Sequence, residues 1–115
     1  MKKESLSSNP NFGLPAWVLP QIKTILTNEP RVEKVVLFGS RAKGLHKPGS
    51  DIDLALFGDH LYSDSLSNLS QQFDESSLPW KVDLVVVNTI DNQNLLDHIL
   101  RVGVVIYEKV VHSNR

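Results

Sequence analysis

The fold of this chain is decided by two short strands and the glycine loop between them. The stretch reads Val35-Val36-Leu37-Phe38-Gly39-Ser40-Arg41-Ala42-Lys43-Gly44 and, after a Pro48-Gly49 turn, Ser50-Asp51-Ile52-Asp53-Leu54-Ala55-Leu56-Phe57. The apolar runs over 35–38 and 51–57 predict strands, and residues 40–44 have room for one turn of helix. Because the link between the two strands is short, we expect them to run antiparallel.

Apolar periodicity on either side of this stretch predicts the remaining elements. A first helix is expected to begin at Pro15 or Pro20, where proline suits a first turn, and to end near Asn28, ahead of Pro30. It is followed by a helix over 64–76, a strand over 82–87, a helix around 95–102 and a strand over 104–107. The order predicts an α/β (α+β) fold, a small mixed β-sheet flanked by helices. We expect the second and third strands of this sheet to run parallel, because a helix links them.

Length and composition indicate one globular domain without disulfides. The chain has 115 residues, 41% of them apolar, and it has no cysteine, which excludes a disulfide framework and a thiolate metal site. We expect an irregular arm over 1–14, the folded domain over 15–109 and a loose tail over 110–115. No apolar run reaches the ~20 residues of a membrane span, and no signal-peptide core follows Met1, so a cytoplasmic protein is predicted.

Charge is unevenly distributed along the chain, although the net charge of −1 argues against a general nucleic-acid binder. Residues 1–50 contain 8 Lys or Arg and 3 Asp or Glu, whereas residues 51–115 contain 4 and 10. One interpretation is that this uneven distribution of charge arises by chance and has no functional meaning. Alternatively, a basic segment and a carboxylate cluster meet at one site, which would suit a polyanion together with a divalent cation.

Three aspartates are the candidate metal ligands. Asp51 and Asp53 are two apart on a strand, so their side chains share one face at a spacing of roughly 6.5–7 Å. Asp83 lies near the start of the third strand, and parallel pairing is expected to place it beside Asp51, one strand spacing of ~4.8 Å away. Such oxygen ligands suit Mg²⁺ or Mn²⁺, and two ions can clamp a phosphoryl group. The alternative is that each aspartate caps a strand end or, for Asp83, pairs with Lys81 or Arg101.

The glycine loop is the candidate phosphate site. Gly39 allows the backbone to approach a ligand closely, and Ser40 offers a hydroxyl and an N–H group. Arg41 and Lys43 are candidate phosphate contacts, although exposed basic side chains are more often solvated. A P-loop is excluded because positions 45–46 lack the required Lys and Ser or Thr.

The histidines and tryptophans carry weaker signals. The histidines at positions 46, 60, 98 and 112 lack zinc-ligand spacing, and His98 is expected on a helix surface. Trp17 and Trp80 are predicted to be core or interface residues rather than platforms for stacked bases.

The loop and the aspartates together resemble a known signature. The signature of the DNA polymerase β-like nucleotidyltransferases resembles Phe38-Gly39-Ser40 followed by Asp51-Ile52-Asp53. The minimal (MNT/MntA-like) members of that family resemble this chain over two longer motifs, Phe-Gly-Ser-Arg-Ala-Lys-Gly and Ser-Asp-Ile-Asp-Leu. The resemblance covers residues 19–107 and implies the DNA polymerase β-like nucleotidyltransferase fold. It implies that two Mg²⁺ or Mn²⁺ ions are held by the catalytic residues Asp51, Asp53 and Asp83, and the triphosphate by Gly39 and Ser40. The implied reaction transfers a nucleoside monophosphate from an NTP to a hydroxyl group.

The resemblance to minimal members also implies a partner. Such proteins act with a small helical HEPN-type protein, and in toxin–antitoxin pairs the nucleotidyltransferase is the antitoxin and adenylylates its partner, commonly on tyrosine. We therefore expect ATP and a HEPN-type protein as partners, no membrane or direct nucleic-acid contact, and either a homo- or a hetero-oligomer. Two other functions stay open: a non-catalytic NTP-binding module that neutralises its partner by complex formation, and an antibiotic nucleotidyltransferase subunit, which the small size disfavours.

Overall fold

The computed structural model describes residues 11–110, which form a four-stranded sheet with helices on both faces. In chain order the elements are α1 (Val18–Leu26), β1 (Lys34–Phe38), α2 (Ser40–Lys43), β2 (Ile52–Phe57), α3 (Ser63–Glu75), β3 (Val82–Val86), α4 (Gln93–Val102) and β4 (Val104–Glu108). The order of helices and strands confirms the predicted α/β fold. Most of the predicted arm over 1–14 and of the tail over 110–115 lies outside the described residues. No helix within residues 11–110 is long and apolar enough to cross a membrane.

The sheet is mixed, with strand order β3-β2-β1-β4. β1 pairs antiparallel with β2 and with β4, whereas β2 and β3 are parallel. These directions follow from the links, since a short loop segment with α2 joins β1 to β2 and α3 carries the chain from β2 back to the start of β3. The directions of the first three strands agree with the prediction from sequence.

Side-chain alternation along the strands produces a core on each face of the sheet. Leu54 points into the larger core, which α1 and α3 cover. Phe38 and Ala55 point to the opposite face, where α4 covers them through Ile99, a residue that is 1% exposed. Because alternate residues share a face, Asp53, two residues before Ala55, also lies on the α4 side.

Several element boundaries differ from the prediction by a few residues, and two of these differences have a clear physical cause. α1 begins at Val18, between the two prolines expected to start it, and Pro20 lies in the first turn, where its missing N–H group breaks no helical hydrogen bond. β3 ends at Val86, one residue earlier than predicted, because the chain enters a 3₁₀ turn over Val87–Thr89.

Candidate active site

Two aspartates from neighbouring parallel strands form the centre of the site. In the ladder between β2 and β3, Asp53 is the register partner of Asp83. Register partners in adjacent strands present their side chains to the same face, so both carboxylates lie on the α4 side. The prediction that Asp83 lies beside Asp51 is wrong, because the ladder begins with Ile52 opposite Val82 and leaves Asp51 outside the strand.

The three aspartates interact electrostatically. The pKa of Asp53 is raised, first by burial of its carboxyl group and then by repulsion from Asp83 and Asp51, while His98 acts in the opposite direction. Asp51 is exposed at the entrance to β2, whereas Asp53 and Asp83 are half-buried. The arrangement concentrates negative charge at one end of the sheet, and a cation bound there would relieve the repulsion.

The donor set fits a divalent cation that is shared with a ligand. Within residues 11–110, no three Asp, Glu, His or Cys side chains are arranged to hold a metal by themselves. Mg²⁺ usually binds one or two carboxylates and completes its shell with water and substrate phosphates, so the pair of Asp53 and Asp83 is sufficient. Asp83 Oδ1 also lies 3.5 Å from the ammonium of Lys81. A metal ion can displace Lys81 from Asp83, because an exposed ion pair contributes little to stability.

Gly39 joins β1 to α2 at a position that requires glycine. Its φ of 79° lies in the left-handed region, and an added Cβ would collide with Asp53 Oδ2. The loop backbone therefore lies directly against the central carboxylate. Ser40 follows as the first residue of α2, so the predicted phosphate-binding pair adjoins the acidic pair.

Arg41 is bonded to backbone carbonyls and is not presented to a ligand. It is 1% exposed, and its guanidinium donates to the oxygens of Ser50 (Nε, 3.1 Å), Pro48 (Nη2, 3.1 Å) and Phe12 (Nη1, 2.9 Å). Burial lowers the pKa of Arg41. This geometry does not support the predicted phosphate contact. It indicates instead that Arg41 fixes Ser50, the residue before Asp51, against α2.

The other predicted residues lie at the margin of the site. Lys43 is exposed on α2, and its phosphate contact stays a prediction. Trp80 donates from Nε1 to Pro48 O at 2.9 Å, and its ring centroid lies 6.2 Å from that of Trp17. These contacts agree with a packing role for Trp80, whereas Trp17 is 48% exposed and is not a core residue.

The expectation that His98 lies on a helix surface is wrong. His98 is half-buried, its Nε2 accepts a hydrogen bond from Gly39 N–H at 3.2 Å, and its ring meets Phe38 edge-on. The available sequence signal is its position three residues after Leu95 and next to Ile99, on the flank of the apolar stripe of α4. The hydrogen bond joins residues 59 positions apart, so periodicity alone does not reveal it.

The fold and this site define a class of protein. The sequence model described as Polymerase beta, Nucleotidyltransferase matches residues 20–111. The chain therefore belongs to the polymerase beta nucleotidyltransferase family, which confirms the resemblance found in its motifs. It is also similar to a particular Haemophilus influenzae protein, named "Probable protein adenylyltransferase MntA". The two are 40% identical over 89 residues, which cover 76% of this chain and 77% of that protein.

Two solved structures share the fold, although only about a quarter of their aligned residues are identical to those of this chain. A crystal structure of a toxin–antitoxin with AMP-PNP is 26% identical, with a TM-score of 0.67 over 80% of this chain and 74% of that chain. A structure of a tri-AMPylated Shewanella oneidensis HEPN toxin in complex with MNT antitoxin is 25% identical. Its TM-score is 0.60, over 79% of this chain and 70% of that chain. These likenesses agree with the fold expected from the loop and the aspartates.

Proposed function

We propose that this chain is a metal-dependent antitoxin that transfers AMP from ATP to a hydroxyl group of a helical HEPN-type partner. The observation that carries the proposal is the register pairing of Asp53 with Asp83 against the backbone of Gly39. Similarity to a protein named as an adenylyltransferase and to toxin–antitoxin structures supports the donor and the partner. The absence of cysteine suits the reducing cytoplasm, where we place the reaction.

Asp51, Asp53 and Asp83 are the proposed ligands of two Mg²⁺ or Mn²⁺ ions. Bound ions would neutralise the triphosphate and stabilise charge on the attacking and leaving oxygens. The raised pKa of Asp53 agrees with this assignment, because burial and then repulsion from Asp83 and Asp51 disfavour its charged form, which a bound cation would stabilise. Arg41 holds Ser50 and so sets where Asp51 enters β2, at the open end of the acidic pair.

The loop and Asp83 perform the remaining steps. Ser40 binds a non-reacting phosphate oxygen through its hydroxyl and N–H groups. Asp83 orients the acceptor hydroxyl and takes its proton as the acceptor oxygen bonds to the α-phosphorus. On the opposite side, the bond from the α-phosphorus to the bridging oxygen breaks, and pyrophosphate leaves in line with the attack.

Incubation with ATP labelled at the α-phosphorus, Mg²⁺ and a HEPN-type protein from the same genome tests the proposal. Label should move to the partner, and Asp53→Asn or Asp83→Asn should reduce transfer by about 100-fold or more. Asp74→Asn is the matched control, since it removes the same charge from an exposed position on α3. Transfer by Asp53→Asn at the rate of the unmodified chain would contradict the assignment of the site.

Two other outcomes correspond to the alternative functions. A stable complex with the partner that carries no label would indicate a non-catalytic module that acts by binding alone. Label on an added aminoglycoside, and none on the partner, would indicate an antibiotic nucleotidyltransferase subunit.

A further inference from the structure

α4 contacts the nucleotide loop through His98. Gly39 N–H donates to His98 Nε2 at 3.2 Å, and the imidazole meets the Phe38 ring with centroids 6.1 Å apart at 79°. Gly39 is thus constrained on two sides, by this hydrogen bond and by the carboxylate of Asp53. Together the two contacts determine the direction in which the chain continues into Ser40.

α4 is well placed to hold this contact. Asn92 caps its first turn by accepting a hydrogen bond from Leu95 N–H at 3.1 Å. Ile99, next to His98, is 1% exposed in the core between α4 and the sheet. A side chain on a capped and packed helix keeps its position better than one on a loop, so His98 can set the position of the loop.

We propose that His98 is a positioning residue for nucleotide binding, an inference that rests on the proposed function. Its Nε2 lone pair holds Gly39 N–H towards α4 and thereby fixes Ser40 for the triphosphate. Because Ser40 is proposed to bind a non-reacting phosphate, losing the contact weakens ground state and transition state equally. The Michaelis constant for ATP then rises while kcat changes little.

A first test needs neither metal nor nucleotide. Since Nε2 accepts a hydrogen bond, the neutral ring must carry its hydrogen on Nδ1. Ring ¹⁵N NMR of the metal-free chain at about pH 8, where histidine is ordinarily neutral, should show this tautomer for His98. The ring signals of His98 are identified by their disappearance in the His98→Gln variant. The Gly39 amide resonance should shift more in His98→Leu than in His98→Gln, whose Oε1 can still accept. An Nε2–H tautomer would overturn the proposal.

A second test uses the full chain with ATP, Mg²⁺ and the partner. His98→Leu should raise KM for ATP about tenfold, the loss of roughly one hydrogen bond, with kcat within about twofold. His98→Gln should restore most of the affinity, and Leu100→Gln, at a 65% exposed position on the same helix, should change neither constant. An unchanged KM in His98→Leu would overturn the proposal.

Failure of the proposed function gives a different result. If the unmodified chain transfers no AMP, calorimetry with a non-hydrolysable ATP analogue and Mg²⁺ measures nucleotide binding directly. Weaker binding by His98→Leu than by the unmodified chain and His98→Gln then supports the role of His98. Equal affinities, or no binding by any of the three, count against it.

Discussion

Replacing Gly39 by alanine tests the contact on which the site depends. The φ of 79° and ψ of −156° lie in a region that is essentially restricted to glycine, and adopting them costs a residue with a Cβ about 1–3 kcal/mol. Collision of that Cβ with Asp53 Oδ2 adds about 1–3 kcal/mol, because the carboxylate must move within a packed site. We therefore expect Gly39→Ala to lower the free energy of unfolding by about 2–6 kcal/mol.

Two other glycines serve as controls. Gly44 has a φ of 74° and a ψ of 15°, the ordinary left-handed helical conformation, and a Cβ added there meets nothing within 4 Å. Gly44→Ala should therefore show the cost of that milder conformation without a collision, about 1–2 kcal/mol. A Cβ at Gly49 also meets nothing within 4 Å, and its φ is not in the left-handed region. Gly49→Ala should therefore change stability by no more than about 0.5 kcal/mol.

Urea unfolding in EDTA, followed by circular dichroism, measures the free energy for each variant. Asp53→Ala removes the oxygen that the new Cβ would meet, so Gly39→Ala should destabilise this background less, by about 1 kcal/mol or more. Equal losses for Gly39→Ala and Gly44→Ala, or no coupling to Asp53→Ala, would refute the placement of Asp53 against the loop.

Three further predictions concern charged side chains. Folding raises the pKa of Asp53 above its value in the unfolded chain. The metal-free protein therefore loses stability as the pH rises from the unfolded pKa through the folded pKa of this carboxyl group. Asp53→Asn should therefore raise Tm in EDTA at pH 7 but not below about pH 4, and an equal gain at both would contradict this. Arg41→Met should cost about 1–3 kcal/mol in urea unfolding, because partly buried carbonyls lose their donor, against about 0.5 kcal/mol or less for the exposed Lys43→Met. Lys81→Met should change stability by less than about 1 kcal/mol and lower the Mg²⁺ concentration for half-maximal transfer, since Lys81 competes for Asp83; an unchanged requirement would count against this.

Local rules account for most of the fold and for part of the site. Strand runs broken by glycine and proline predict the antiparallel pair, and a helix between two strands predicts the parallel one. Alternation along a strand predicts that Asp51 and Asp53 share one face, but Asp51 lies outside β2, so that shared face stays a prediction. The role of glycine at position 39 also follows from its place directly after a strand.

Register is the first thing that the sequence leaves undetermined. The strands predicted over 51–57 and 82–87 each end or begin one residue away from those observed, and a register shift of two positions decides whether Asp83 meets Asp51 or Asp53. Register depends on which backbone groups pair across the ladder and how the side chains pack on both faces, so short-range patterns do not determine it.

By itself, the sequence therefore determined the α/β class, the glycine–serine loop and the family to which the chain belongs. The tertiary structure alone decided that Asp53 pairs with Asp83, that Arg41 is buried among carbonyl oxygens and that His98 meets Gly39. Each of these contacts joins side chains or backbone groups whose positions depend on how whole elements pack together. The identity of a residue limits which bonds it can form, whereas packing selects the partner that is within reach.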